Sequence, residues 1–203
     1  MLGVRLEEEP PQELIFEDLA NLPPMKAPAK LAAMQILTLI ITPAFIVNPA
    51  MFPPIVYTKI SLSIKYGNSP ESAFAYLWYG VLLCGRLGDI DSGYQFGKLA
   101  ILLLDRFNTI TLKSKIFCVF NSLIRCWKEP LNTTLEPLVE AVQSGLENGD
   151  IEFACHSTVN YCNHLFLSGR ELQKVEQEQA KYVALTINCK QKFDTLFVQV
   201  YSK

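Results

Sequence analysis

The 203-residue sequence contains few charged residues and very few histidines. Lys, Arg, Asp and Glu make up 19% of the chain, hydrophobic residues make up 50%, and two histidines are present. The formal net charge is −2, and no basic cluster interrupts the mixed charge pattern. That pattern excludes a nucleic-acid-binding surface of the usual basic kind. The apolar content excludes a disordered tail, and the length is sufficient for a sizeable core.

Paired cysteines with two intervening residues, the spacing of zinc ribbons and thioredoxin-like motifs, are also absent from the sequence. The six cysteines are Cys84, Cys118, Cys126, Cys155, Cys162 and Cys189. They lie in apolar, helix-like stretches, where a free thiol packs as a small hydrophobic side chain. We therefore expect reduced thiols in the core of a cytoplasmic protein.

Residues 31–58 contain no charged side chain at all. A membrane span needs about 20 apolar residues, so this run is long enough to be considered. Four prolines, Pro43, Pro49, Pro53 and Pro54, divide it into pieces of the length of core helices. The sequence therefore favours two buried helices, and membrane association is the alternative.

Helical periodicity and helix-capping signals dominate what is present. We predict an irregular lead-in over residues 1–24, with a short helix near 13–21, followed by a single helical domain over residues 25–203. The predicted helices cover residues 30–47, 55–66, 70–85, 90–107, 111–127, a segment ending at 148, 151–167 and 171–201. Ser69 with Pro70 is typical of a helix start, and Thr133 with Glu136 has the spacing of a capping box. The fold class is all-α.

A short motif occurs twice, which indicates an internal repeat. Gly-Asp-Ile stands at residues 88–90 and again at 149–151, each time between two amphipathic helices. Small residues that permit close helix packing are Ala73, Ala75, Gly80, Gly93, Gly97 and Ala100. This pattern favours a superhelical stack of antiparallel helix pairs, as in tetratricopeptide repeats, although the spacing departs from the usual period of about 34 residues.

The side chains that could carry chemistry form no catalytic arrangement in the sequence. Residues 93–99 resemble a phosphate-binding loop, but three residues separate the glycines where four are needed, and Leu99 replaces the hydroxyl. His156 and His164 stand eight residues apart, about 12 Å along a helix, which is too far for them to share a zinc ion. We predict no catalytic, cofactor-binding or metal-binding residue.

Aromatic residues are concentrated in two neighbouring helices. Phe74, Tyr76, Trp78 and Tyr79 lie on one, and Tyr94 and Phe96 lie on the next. Such residues can line a peptide-binding groove on the concave side of a repeat stack. We favour the simpler interpretation, in which they fill the core between helices.

Several segments together resemble the central helical region of very large bacterial signalling proteins. They are YGNSPESA at 66–73, YG at 79–80, GDIDSGYQFGKLA at 88–100, WKEPL at 127–131, GDIEFA at 149–154, NYC at 160–162 and GREL at 169–172. Proteins of that family join a serine/threonine kinase domain, an AAA-type ATPase module, the helical region, a GAF sensor domain and a histidine kinase. The family's catalytic motifs lie outside the helical region, so the resemblance implies no active-site residue here.

The resemblance implies a tetratricopeptide-like connector between an ATPase module and sensor or kinase modules. We therefore expect a non-catalytic scaffold, a fragment of such a protein, whose partners are the neighbouring kinase, ATPase and sensor domains or other proteins. Nucleic acid is not expected as a partner, and membrane association is disfavoured. The alternative is a nucleotide-binding or kinase-associated enzyme module.

Overall fold

The computed structural model describes residue 6 and residues 16–200, apart from the side chains of Phe193, Gln199 and Val200. Within that part, the chain is helical and no strand is formed, as the all-α prediction requires. The chain divides into two compact units, Met1–Thr109 and Ile110–Lys203. Whether residues 25–203 act as one domain stays a prediction.

The described residues of the first unit form five α-helices. They are α1 (Phe16–Asn21), α2 (Pro28–Val47), α3 (Phe52–Tyr66), α4 (Pro70–Leu82) and α5 (Ile90–Phe107). Consecutive helices pack on one another, α2 on α3, α3 on α4 and α4 on α5, while α1 contacts α5. Residues 23–25 are held by two backbone hydrogen bonds, from Met25 N to Asn68 O at 2.7 Å and from Asn68 N to Pro23 O at 2.8 Å. These bonds place the start of α2 beside the α3–α4 corner.

The second unit contains the other five α-helices of the described chain. They are α6 (Ile110–Val119), α7 (Leu135–Asn148), α8 (Ile151–Leu167), α9 (Leu172–Asn188) and α10 (Lys192–Val200). Helix α7 packs against α6 and α8, and α8 also contacts α9 and α10. The apolar core around α8 includes Leu138, Cys162, Leu165 and Val175.

The repeated Gly-Asp-Ile motif forms similar turns in both units. Gly88 and Gly149 end the preceding helices with φ of 72° and 76°, a backbone conformation that glycine adopts without a steric penalty. Asp89 caps α5, because its carboxylate accepts a hydrogen bond from Ser92 N at 3.0 Å. Asp150 makes no such cap; it lies 3.5 Å from the Lys115 ammonium of α6 instead.

Other helix ends differ from the prediction in informative ways. The helices predicted over 70–85 and 111–127 each change to wider π turns, at Leu83–Leu87 and Phe120–Ile124. The capping box predicted from Thr133 and Glu136 is wrong, because Thr134 is the N-cap residue and its hydroxyl donates to Leu131 O at 2.7 Å. A short 3₁₀ turn, Leu131–Thr134, therefore precedes α7.

The long final helix predicted over residues 171–201 is also wrong. The helix is interrupted between α9 and α10, where Lys190 has φ of 57°. A left-handed residue ends an α-helix, and lysine adopts that conformation only at a cost. At the other end of the chain, α1 begins at Phe16, and residues 13–15 of the predicted short helix lie outside the described part.

Candidate interaction surface

The glycine-rich segment 93–99 lies inside α5, as predicted from the helical pattern. A Cβ atom added to Gly93 would lie 2.8 Å from Gly80 O, on α4. The glycine therefore serves the close approach of two helices. Because the backbone N–H groups of a helix interior are engaged within the helix, this segment offers no cradle for a phosphate.

The two histidines lie at different places in the second unit and have different partners. His164 Nδ1 lies 2.6 Å from Thr134 Oγ1, and burial lowers the pKa of His164. His156 Nδ1 lies 2.8 Å from Asp194 Oδ1, and this hydrogen bond raises the pKa of His156. Neither arrangement supplies the set of converging ligands that a zinc site needs. In the described part of the chain, no cluster of three or more His, Cys, Asp or Glu side chains could hold a metal ion.

All six cysteines are free thiols, four of them buried. Burial raises the pKa of Cys118 to about 11. Burial also raises the pKa of Cys155, with a further contribution from the neighbouring Cys189, to about 12. A thiol with so high a pKa is protonated at neutral pH and is a poor nucleophile. The buried cysteines therefore behave as packing residues.

The aromatic cluster of α4 is core, as favoured from the sequence. Phe74, Tyr76 and Trp78 are fully or almost fully buried. Trp78 packs edge-on against Phe52 of α3, with ring centroids 5.2 Å apart. Phe45 at the end of α2 packs on the same indole at 4.9 Å. These rings fix α2 and α3 onto α4 and are not available to line a peptide groove, whereas Tyr79 and Tyr94 are half-buried.

A buried lysine in α3 was not predicted from the sequence. Lys59 is fully buried, and its ammonium donates a hydrogen bond to Thr38 Oγ1 of α2 at 2.5 Å. The ammonium also lies 5.5 Å from the centre of the Phe74 ring. Burial lowers the pKa of Lys59 to about 7. The spacing in the sequence could have predicted this burial. Lys59 follows Ile55 by four residues, so the two side chains share one face of the helix, and that face is buried.

One face of α2 is open to solvent and apolar, and we call it the α2 face. Its large apolar residues are Ile36, Leu39, Ile40, Ile46 and Val47, and Met51 follows just beyond the helix. The exposed fractions of Leu39 and Val47 reach 72% and 81%. The opposite face of α2 is buried through Ala33, Met34, Leu37 and Ile41. The prediction of two buried helices therefore holds for α3 and is wrong for the outer side of α2.

The same helix is long and apolar enough to cross a membrane, by length and composition alone. Its most apolar 18-residue stretch has a mean hydropathy of 1.8, and 28% of that stretch is buried. The core helices of soluble proteins can have the same length and hydropathy. Exposed Ile36, Leu39 and Ile46 follow helical spacing, with Pro43 between Leu39 and Ile46 about one turn from each. The α2 face is therefore a continuous ridge along the helix.

A second open surface lies in the second unit, between α7 and α9. This groove has a volume of about 560 Å³. Its apolar lining includes Val142, Leu146, Tyr182 and Leu185, and Glu147 and Lys181 are the charged residues that line it. Its lining carries charge, whereas the α2 face has none, and we therefore take the α2 face as the candidate interaction surface.

Comparison with known proteins gives one distant similarity to a signalling enzyme. Over 125 residues, or 61% of this chain, the sequence is 26% identical to hybrid signal transduction histidine kinase G of Dictyostelium discoideum. The chain spans about 4% of the length of that protein. No protein-family model matches the chain, and no solved structure matches it. The similarity agrees with the resemblance to large signalling kinases, while a bacterial origin stays a prediction.

Proposed function

We propose that this chain is a non-catalytic helical module of a cytoplasmic signal-transduction protein. The similarity to part of a hybrid histidine kinase supports the signalling context. The finer proposal, drawn from the sequence resemblance, is a tetratricopeptide-like stack that links an ATPase module to sensor and histidine kinase modules. Its partners would be those neighbouring domains or other proteins, without nucleic acid.

The observation that supports the proposal is that the side chains able to take part in chemistry make contacts within the fold. Lys59 contacts Thr38 and Phe74 in the core of the first unit. His156 and His164 contact Asp194 and Thr134 in the second unit. These groups join one helical segment to another, which is a structural task, and the open face of α2 is apolar. An apolar open face suits association better than bond-making chemistry.

Titration calorimetry with ATP and magnesium tests the non-catalytic part of this proposal. We expect no binding heat up to about 1 mM nucleotide, since residues 93–99 are helical and offer no phosphate cradle. Binding tighter than about 100 µM would establish the nucleotide-binding alternative. Loss of that binding in Lys98→Ala, which replaces an exposed lysine of α5, would place the nucleotide at this segment.

A further inference from the structure

We infer that the α2 face binds the same face of a second copy of this chain, with the two α2 helices antiparallel across a two-fold axis. The inference rests on the proposed function only in treating the α2 face as an interaction surface. Oligomeric state and nucleotide binding are measured separately, so either proposal can fail alone. Three features of α2 support a self-complementary contact: its lack of charge, the placement of a nearby lysine, and its ridge of side chains.

The lack of charge fits a two-fold contact. Across a two-fold axis, a residue near the axis meets its own copy, so any charge there faces an equal charge. Residues 31–58 contain no Asp, Glu, Lys or Arg. Exposed Leu39 lies near the middle of α2 and is flanked by Ile36 and Ile46 on the same ridge. Apolar ridges of this kind pack between the ridges of a facing helix.

The charges at the ends of α2 favour the antiparallel direction. A helix N-terminus is stabilised by acidic groups and a C-terminus by basic groups. Helix α2 has no acidic residue in its first turn and no basic residue in its last turn. Exposed Lys26 lies just before its N-terminus instead. In an antiparallel pair, this lysine of each copy would lie beside the C-terminal carbonyl groups of the other copy's α2.

A lipid surface fits the same face less well. Glu17 and Asp18 of α1 are exposed, and α1 is held near the start of α2, because Asn68 donates a hydrogen bond to Leu19 O at 2.7 Å. These carboxylates would oppose an anionic headgroup layer. Gln35 and Asn48 are also exposed on α2 or at its end. Amide side chains find hydrogen-bond partners in a protein interface, whereas hydrocarbon offers none.

The interface would be small. Stable protein interfaces use about 20–30 residues a side, and α2 with the turn that follows exposes fewer. We therefore expect a dissociation constant in the micromolar range, near 10 µM as an order of magnitude.

Sedimentation equilibrium over roughly 1–200 µM protein tests the inference. The mass of the wild-type chain should rise from 22.9 kDa toward twice that value. Leu39→Glu should stay monomeric, because two carboxylates would meet near the axis. An equimolar mixture of Leu39→Glu and Leu39→Lys should dimerise again. The matched control is Leu167→Glu in α8, where the leucine is exposed to 65% and the substitution should leave dimerisation unchanged. Circular dichroism confirms that each variant is folded.

Three outcomes would overturn the inference. The first is a wild-type chain that stays monomeric at the highest concentration. The second is a Leu39→Glu variant that dimerises like the wild type, which would move the contact to another face. The third is a monomeric chain that co-sediments with phosphatidylcholine vesicles through the α2 face, which would make lipid the occupant. The last result would leave the face an interaction surface without a second copy.

Discussion

The burial of a single residue, Lys59, lowers the free energy of unfolding of the first unit. Its ammonium is fully buried between α2, α3 and α4, and one hydrogen bond to a hydroxyl replaces its hydration shell incompletely. In the unfolded chain its pKa returns to 10.5, whereas in the folded chain it is about 7. Between these values, the unfolded chain binds a proton that the folded chain does not bind. The free energy of unfolding therefore rises as the pH increases from about 7 to about 10.5.

Replacing Lys59 with methionine should remove this dependence. We expect Lys59→Met to raise the free energy of unfolding at pH 6 by about 2 kcal/mol, and the gain should shrink as the pH approaches 10. Urea denaturation at a series of pH values measures it. Lys65→Met, which replaces an exposed lysine of the same helix, is the control and should change stability by less than about 0.5 kcal/mol. A gain that is the same at every pH would contradict the buried-charge explanation.

At the scale of helices, the close contact between α4 and α5 depends on a missing side chain. Gly93 of α5 faces Gly80 O of α4, and an added Cβ would come within 2.8 Å of that oxygen. The added Cβ would lie even closer to Cys84 Sγ, and the Gly80 carbonyl is helix backbone that cannot rotate away. We expect Gly93→Ala to lower the free energy of unfolding by about 1–3 kcal/mol, because the two helices must separate. Thermal or urea unfolding measures the loss.

Gly85 provides the matched control for that substitution. An added Cβ there meets no atom within 4 Å, and Gly85 lies in the π turn after α4. Gly85→Ala should therefore be neutral, or stabilising by up to about 1 kcal/mol, since alanine restricts the unfolded chain. If the two variants lost equal stability, close packing at Gly93 would not be the cause.

At the scale of the whole molecule, the thiols report on the integrity of both units. Cys84 is in the first unit and the other five cysteines are in the second, and only Cys126 and Cys189 are partly exposed. With a coloured disulfide reagent at pH 8, we expect no more than those two thiols to react in the native protein. Denaturant should expose all six. Fast reaction of four or more thiols without denaturant would show that the cores are open in solution.

The sequence predicts the helical class and most helix boundaries because local chemistry determines them. Helices α5 and α8 begin directly after Gly-Asp turns, at Ile90 and Ile151, where the glycine favours a left-handed turn. The break at Lys190 was not predictable in this way, because lysine gives no turn signal. The exposure of Leu39 was not predictable from the sequence either, because an apolar run has the same pattern whether its outer side is covered or open. Leu39 is exposed because α3 and α4 pack against the other side of α2.

The uncharged run that forms α2 also determines which experiments can detect its surface. Trypsin cleaves after lysine and arginine, so residues 31–59 form a single proteolytic peptide that ends at the buried Lys59. Reagents that label amines, carboxylates or thiols find no target in residues 31–58, because the run contains no such side chain. Footprinting with carbenes or hydroxyl radicals, which insert into aliphatic side chains, is therefore the chemistry suited to mapping contacts on Leu39 and its neighbours.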